Sequence, residues 1–318
     1  MILQILLLIA GLVMIVLGAD YLVDGASSAA RKLGVSEFVI GLTIVGMGTS
    51  APEMVVSFIG AIQGKADIAV GNIIGSDIFN TLLILGVSAL IFPMEITRGN
   101  CRRDIPVNFL VILLMAVLGM KHTLGFGAEN SLTRIDGAIL IALFAVYILS
   151  CFKYDTRDSS EGGEESQMTT LKAVLLIVAG LAALIIGGRL FVNSATSLAA
   201  MLGISEKFVA ITILAGGTSL PELATCVVAA IKKKGQLALG NILGSNVFNV
   251  LLILGGSALI HPLSFADISM IDLGTVLLSA VLVWTSVFTG KKDRLDRFDA
   301  SLLLLVWIAY MAYLLINL

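Results

Sequence analysis

Charge is scarce in this chain. Of its 318 residues only 13% are Asp, Glu, Lys or Arg, while 58% are hydrophobic. A soluble domain carries about 25% charged residues, so most of this surface must face lipid. The net charge of −2, with no basic patch interleaved with aromatics, excludes a nucleic-acid partner. Two histidines and three scattered cysteines are too few for a zinc or disulfide framework, and Cys101, Cys151 and Cys226 read as structural thiols. There is no His-Glu-x-x-His and no pair of aspartates placed for an intramembrane protease. The expectation is a protein that is not an enzyme and uses no cofactor. The first apolar run, residues 2–17, has no basic residue before it and no small-residue cleavage site after it, and reads as mature structure.

What is abundant is long apolar runs. A helix needs roughly 20 apolar residues to cross about 30 Å of hydrocarbon. Runs of that kind fall near 2–23, 37–63, 68–92, 104–121, 133–152, 171–192, 206–231, 237–262, 269–289 and 299–317. They are continuous rather than alternating, which excludes barrel strands. The fold class is therefore an all-α membrane protein of about ten transmembrane helices. Residues 153–170 form an acidic, Ser/Gly-rich linker, too short for a folded domain and flexible by composition. It separates a first unit, 1–152, from a second, 171–318. Lys and Arg concentrate roughly fourfold in the odd-numbered loops, the even ones holding only Lys65, Lys121, Arg134 and Lys207. Odd loops are thus expected in the cytoplasm and both termini outside, in the plasma (inner) membrane.

The two units are copies. Residues 10–93 align with 179–262 at a constant offset and without a gap. Roughly half the positions from 41 onward are identical, and the shared set includes Pro, Glu, Asn and Ser, which chance likeness between apolar segments would not preserve. The offset spans five helices, an odd number, so the second copy enters the membrane from the opposite face. Inverted repeats are a transporter design with the substrate held near the midplane.

Within each copy the polar residues cluster. Gly-Thr-Ser-x-Pro-Glu occurs at 48–53 and at 217–222. Pro52 and Pro221 lack the N–H that a helix would direct to Gly48 and Gly217, so freed carbonyls, hydroxyls and a carboxylate fall within about one turn. Such backbone is tolerated at membrane depth only where it is buried in protein or lines a cavity. Glu53 and Glu222 carry the strongest signal, since a charge at a helix centre costs about 2.5–3.5 kcal/mol even on the mild insertion scale. Two acids sharing a site require a proton or a cation between them. The hydroxyls Thr49, Ser50, Thr218 and Ser219 serve either as ligands or as caps for broken backbone. Gly-Asn-Ile-x-Gly-Ser-x-x-Phe-Asn follows at 71–80 and 240–249. Its glycines, Gly71, Gly75, Gly240 and Gly244, suit close helix approach. Ser76, Asn80 and Asn72 share one helix face, as do Ser245, Asn249 and Asn241, placed for ligation or for interhelical bonding. Asp77, opposite Asn246 in the repeat, reads either as an access-path residue or as a structural acid. Asp20, Asp24 and Arg189 are expected near helix ends, and Ser36-Glu37 and Ser205-Glu206 as helix N-caps. All these ligands are oxygens, a set that suits hard cations, and a flexible many-oxygen shell suits Ca2+ better than Mg2+.

The doubled pair of motifs resembles the alpha repeats of the sodium/calcium exchangers, within the cation/calcium exchanger superfamily. The likeness covers 10–93 and 179–262, with the motifs themselves in 41–93 and 210–262, and the ten-helix plan extends it to the whole chain. It implies electrogenic antiport, Na+ entering and Ca2+ leaving, with these ions and the lipid bilayer as partners; oligomeric state is not implied. The ion-site residues it implies are Thr49, Ser50, Glu53, Ser76 and Asn80, then Thr218, Ser219, Glu222, Ser245 and Asn249, with carbonyls of Gly46 and Ala215. Some members have Asp where this chain has Asn249, which leaves two acids in the core and argues against K+ co-transport. The short linker has no room for the regulatory domain of animal exchangers. An H+-coupled Ca2+/cation exchanger is the alternative, since the same glutamates can carry protons. Helices one and six, with Gly11, Gly18, Gly187 and Gly188, are expected to slide between states.

Overall fold

The computed structural model describes residues 1–153, 168–202, 216–266, 268–289 and 293–317, apart from the side chains of residues 66 and 67. Residues 154–167 of the linker, the cap expected at Ser205-Glu206, the carbonyl of Ala215 and the first part of the span expected at 206–231 lie outside the described residues. The described helices are α1 (Ile2–Leu33), α2 in two pieces (Glu37–Thr49 and Ala51–Ile62), α3 (Ile68–Ile91), α4 (residues 100–119) and α5 (Arg134–Lys153). The second set is α6 (Thr170–Met201), α7 (Leu220–Ile231), α8 (Gly235–Ile260), α9 (Met270–Ser286) and α10 (Arg297–Ile316). Helix is the backbone's answer to a medium that offers no hydrogen bonds. The architecture is two inverted sets of five.

Residue i in the first set corresponds to i + 169 in the second (179 − 10 = 169). The middle of the molecule is α2, α3, α7 and α8. α8 is buried along nearly its whole length, whereas α1, α5, α6 and α10 turn most of their surface outward. α1 and α6 are longer than the expected spans 2–23 and 171–192, at 32 residues each. At 1.5 Å per residue that is about 48 Å, well beyond the hydrocarbon thickness, so each must tilt. The extension arises because Gly25, Ala26, Ser27, Ser28 and Ala30 are buried small residues that prolong a packed face. Gly34, at φ 74° and ψ 27°, ends α1 in the left-handed conformation that glycine adopts without a Cβ penalty.

α1 and α6 lie antiparallel along a seam of small residues. A Cβ on Gly11 would stand 2.9 Å from the Gly187 carbonyl oxygen, and one on Gly18 would stand 2.8 Å from that of Gly180. Gly25 meets the Ala173 carbonyl in the same way, at 2.9 Å. The sevenfold spacing keeps these contacts in line. Gly25 and Gly180 join the seam expected from Gly11, Gly18 and Gly187, whereas a Cβ on Gly188 would meet nothing within 4 Å among the described residues. Across the core, Gly240 and Gly244 let α8 approach the Phe38 and Leu42 carbonyls of α2, as expected of a small-xxx-small face. The positions equivalent to Phe38 and Leu42 in the second repeat are 207 and 211, outside the described residues, so the packing role of Gly71 and Gly75 has no described counterpart.

The fifth helix of each set packs on the other set. α5 lies against α8 and α10 against α3. A Cβ on Gly137 of α5 would stand 2.6 Å from the Gly255 carbonyl of α8, and one on Gly86 of α3 would press on Leu304 of α10 at 2.8 Å. Two short antiparallel clips reinforce the exchange. β1 (Met94–Glu95) pairs with β4 (Arg294–Leu295), and β2 (Ser131–Leu132) pairs with β3 (Leu263–Ser264).

Asp20 and Asp24 do not end a helix, because α1 continues to Leu33. They hold Lys232, at the end of α7, whose Nζ lies 2.7 Å from Oδ1 of each. Partial burial pulls the Lys232 ammonium down, but the two aspartates more than offset it and leave it above its ordinary value. Ser36 caps α2 by accepting from the Val39 N–H at 3.2 Å, as expected, and the neighbouring Glu37 pairs with Lys234 at 2.6 Å. The equivalents of Asp20, Asp24 and Lys232 are Arg189, Asn193 and Gln63, so the second repeat cannot reproduce the Lys232 pairing.

Candidate functional site

The break in α2 falls at Ser50, whose φ of −78° and ψ of 7° leave the helix, and the axis bends there by 48°. Ser219, preceding α7, has nearly the same backbone, φ −89° and ψ 8°. Each of these serines is followed by proline in the first turn of a helix and then by the glutamate. This brings Glu53 and Glu222 to the N-terminal ends of two helical segments, where the backbone partial charge is positive.

The glutamates are bound reciprocally. Ser219 donates to Glu53 Oε1 at 3.0 Å, and Ser50 donates to Glu222 Oε1 at 3.1 Å. Each repeat's serine therefore serves the other repeat's acid, as an isologous contact about a two-fold axis must. Ser76 also donates to Glu53 Oε1, at 3.5 Å. Ser245, its counterpart, donates to the Gly46 carbonyl at 3.4 Å instead. That carbonyl also accepts from Thr49 Oγ1 at 3.3 Å and from the Ser50 N–H at 3.0 Å. Thr218 is half-buried in the turn before α7 and interacts with the Glu53 carboxyl. Glu53, Glu222, Thr49, Ser50, Ser76, Ser219 and Ser245 are all buried.

One turn deeper, α3 and α8 cross. Asn80 Nδ2 donates to Asn246 Oδ1 at 3.3 Å, and Asn249 Nδ2 donates to Asp77 Oδ1 at 2.8 Å. These contacts are also two-fold equivalents. Asn80 lies second in a short π-helical stretch, Phe79–Ile84, and Asn249 opens another, Asn249–Leu254, wider turns that recur at functional sites. Asn72 and Asn241 act as interhelical bonds rather than inward-facing groups. Asn72 Nδ2 donates to the Glu53 carbonyl at 3.2 Å and to Ser57 at 3.1 Å. Asn241 accepts from Thr49 at 3.1 Å and donates to Cys226 Sγ at 3.1 Å.

Sequence reasoning counted two acids in the core; the structure has three. Asp77 is 0% exposed and touches Asn249. The signal for it was available: an ionisable residue inside a spanning helix is a functional candidate by default. Five acceptor atoms in this region are buried with no donor among the described residues: Glu53 Oε2, Glu222 Oε2, Asp77 Oδ2, Asn80 Oδ1 and Asn249 Oδ1. Leaving one such atom unsatisfied costs about 1–3 kcal/mol, more if it is charged. All five are oxygens that accept, so each calls for a hydrogen-bond donor or a cation. Among the described residues no three His, Cys, Asp or Glu side chains converge as a metal cluster. Carboxylates, amides and hydroxyls must share the task, as suits a hard cation held weakly enough to leave.

The sodium/calcium exchanger protein family matches residues 3–153 and 172–316. The sodium/calcium exchanger MaX1 of Methanosarcina acetivorans is 33% identical over 97% of both chains. A Ca2+/H+ antiporter of Aphanothece halophytica is 26% identical over 85% of this chain and 81% of its own. A solved structure of the sodium-calcium exchanger NCX_Mj, soaked with 2.5 mM Na+ and 0.1 mM Ca2+, superposes with a TM-score of 0.85 at 30% identity, covering 98% of each chain.

Proposed function

The chain belongs to the sodium/calcium exchanger protein family, and from that premise we propose that it exchanges Na+ for Ca2+ by alternating access. The ions are held by Glu53 and Glu222 with Thr49, Ser50, Ser76, Asn80, Thr218, Ser219, Ser245 and Asn249, and by the carbonyls of Gly46 and Ala215. The observation that carries this reading is the set of five buried, donorless oxygens beside the reciprocal Ser–Glu pairs. The protein sits in the plasma (inner) membrane with both termini outside, as the distribution of Lys and Arg supports.

Exchange follows from charge. A site with several uncompensated carboxylates is too costly to carry between faces in a low-dielectric interior. Ions must be present for the change of state, so one species leaves only as another replaces it. The glycine seam lets α1 and α6 shift together over α2, α3, α7 and α8, while the β clips hold the far ends of α3 and α8. The Lys232 pairing with Asp20 and Asp24 favours closure at the α7–α8 turn. Similarity to a Ca2+/H+ antiporter supports the second reading, in which protons replace Na+ on the same glutamates.

The test is flux. Liposomes loaded with Na+ and diluted into Na+-free medium should accumulate radiocalcium. Glu53→Gln and Glu222→Gln should each abolish it. Folded protein with no Na+-dependent uptake, but with uptake driven by a pH gradient, would replace Na+ coupling with H+ coupling. Full activity in either glutamine variant would remove the site.

A further inference from the structure

We infer that Asp77 is a positioning residue for Asn249: by accepting from its amide nitrogen it turns the Asn249 carbonyl oxygen toward the transported ion. The inference rests on the reading above in one respect, that Asn249 is an ion ligand. An asparagine side chain has a donor end and an acceptor end. It serves a cation only with the oxygen inward, so something must hold the nitrogen outward. Asp77 Oδ1 accepts from Asn249 Nδ2 at 2.8 Å, and Asn249 Oδ1 is left buried with no donor among the described residues. A carboxylate presents only oxygens, so this contact is met in one orientation of the amide.

The other half of the site does the same job differently. Asn80 Nδ2 is held by Asn246 Oδ1 at 3.3 Å, and Asn80 Oδ1 is again left without a donor. Asn246 is itself an amide and needs its own orientation fixed. Thr81 supplies this, accepting from Asn246 Nδ2 at 2.8 Å. The two-fold equivalent of Thr81 is Val250 (81 + 169 = 250), which has no polar side-chain atom. Position 77 therefore lacks the threonine that orients Asn246, and it carries an acid, which needs none. The asymmetries Asp77/Asn246 and Val250/Thr81 compensate each other.

The test is a rescue, read by equilibrium radiocalcium binding to purified protein, which requires no flux and no knowledge of the coupling ion. Asp77→Asn leaves an amide free to present either end, and Ca2+ binding should weaken roughly tenfold, the equivalent of about 1.4 kcal/mol. Adding Val250→Thr rebuilds the Asn246–Thr81 arrangement at the second position, and the double variant should return to within about threefold of wild type. Asp77→Val, which offers no acceptor, should be at least as weak as Asp77→Asn, and Val250→Thr should not rescue it. Size-exclusion profiles confirm that each variant is folded; the rescue by a threonine keeps the test valid if Asp77→Val is not. A double variant no better than Asp77→Asn would overturn the inference and assign Asp77 a role through its charge. So would wild-type affinity in Asp77→Val. Absent Na+-driven uptake with intact Ca2+ binding would instead defeat the proposed coupling and leave this inference standing.

Discussion

The two serines that cross between the repeats make an uneven pair. Ser50→Ala removes the hydroxyl that donates to Glu222 Oε1 at 3.1 Å; Ser219→Ala removes the one that donates to Glu53 Oε1 at 3.0 Å. Both bonds are buried, and a hydrogen bond to a charged group contributes about 1.5–3 kcal/mol. Taken alone, that predicts roughly 10- to 150-fold losses in Ca2+ affinity for each. Glu53 Oε1, however, keeps a second donor, Ser76 at 3.5 Å, whereas the equivalent Ser245 is turned to the Gly46 carbonyl. Loss of Ser219 is therefore partly covered, and its effect belongs at the lower end, about tenfold. Loss of Ser50 leaves Glu222 less supported, and its effect belongs nearer 100-fold. Equilibrium radiocalcium binding to the two single variants decides the matter, with Ser76→Ala/Ser219→Ala as the third point. That double variant should fall to the level of Ser50→Ala. Equal losses, or a larger loss in Ser219→Ala, would refute the assignment of donors.

Gly187→Leu inserts a side chain where a Cβ already stands 2.8 Å from Met14 Cβ and 2.9 Å from the Gly11 carbonyl; it should slow uptake at least tenfold with Ca2+ affinity unchanged, and a parallel change in affinity would count against a sliding seam. Gly137→Leu meets the Gly255 carbonyl at 2.6 Å and should lower thermal stability, measured in detergent, by about 1–3 kcal/mol; an unaltered melting temperature would contradict the α5–α8 packing. Lys232→Gln frees Asp20 and Asp24, and because both are about half exposed the effect is at most about 1 kcal/mol, or roughly fivefold in release of Ca2+ toward the α7–α8 turn. That change should shrink in high salt, and a salt-independent result would point to packing instead.

Much of the site was legible because the offset of 169 converts weak local signals into paired ones. Glu53 alone is a buried acid; Glu53 and Glu222 in matched Ser-x-Pro-Glu turns are a candidate site. The contacts across the axis were not legible, since similarity says which residues are equivalent and not which ones touch. Ser219 meeting Glu53, or Asn249 meeting Asp77, depends on where the axis falls. Asp77 was underweighted because its equivalent is Asn246, and symmetry drew attention to what matched. The lengths of α1 and α6 were underestimated because their last turns are Ala-, Ser- and Gly-rich, and a hydropathy count stops where packing of small residues takes over. The exchange of α5 and α10 leaves no trace in the repeat, which fades beyond 93 and 262.

That exchange bears on how the chain is made. Gly137 emerges from the ribosome 118 residues before Gly255 (255 − 137 = 118), the backbone it rests against. At 5–20 residues per second the wait is about 6–24 s. During that interval α5 must survive in the lipid as a lone apolar helix, its docking groove unbuilt, with Asp136 in its first turn bonded to Lys121 and Thr133 rather than to any later segment. Local satisfaction of that one acid leaves α5 with no buried charge that must wait for the second half.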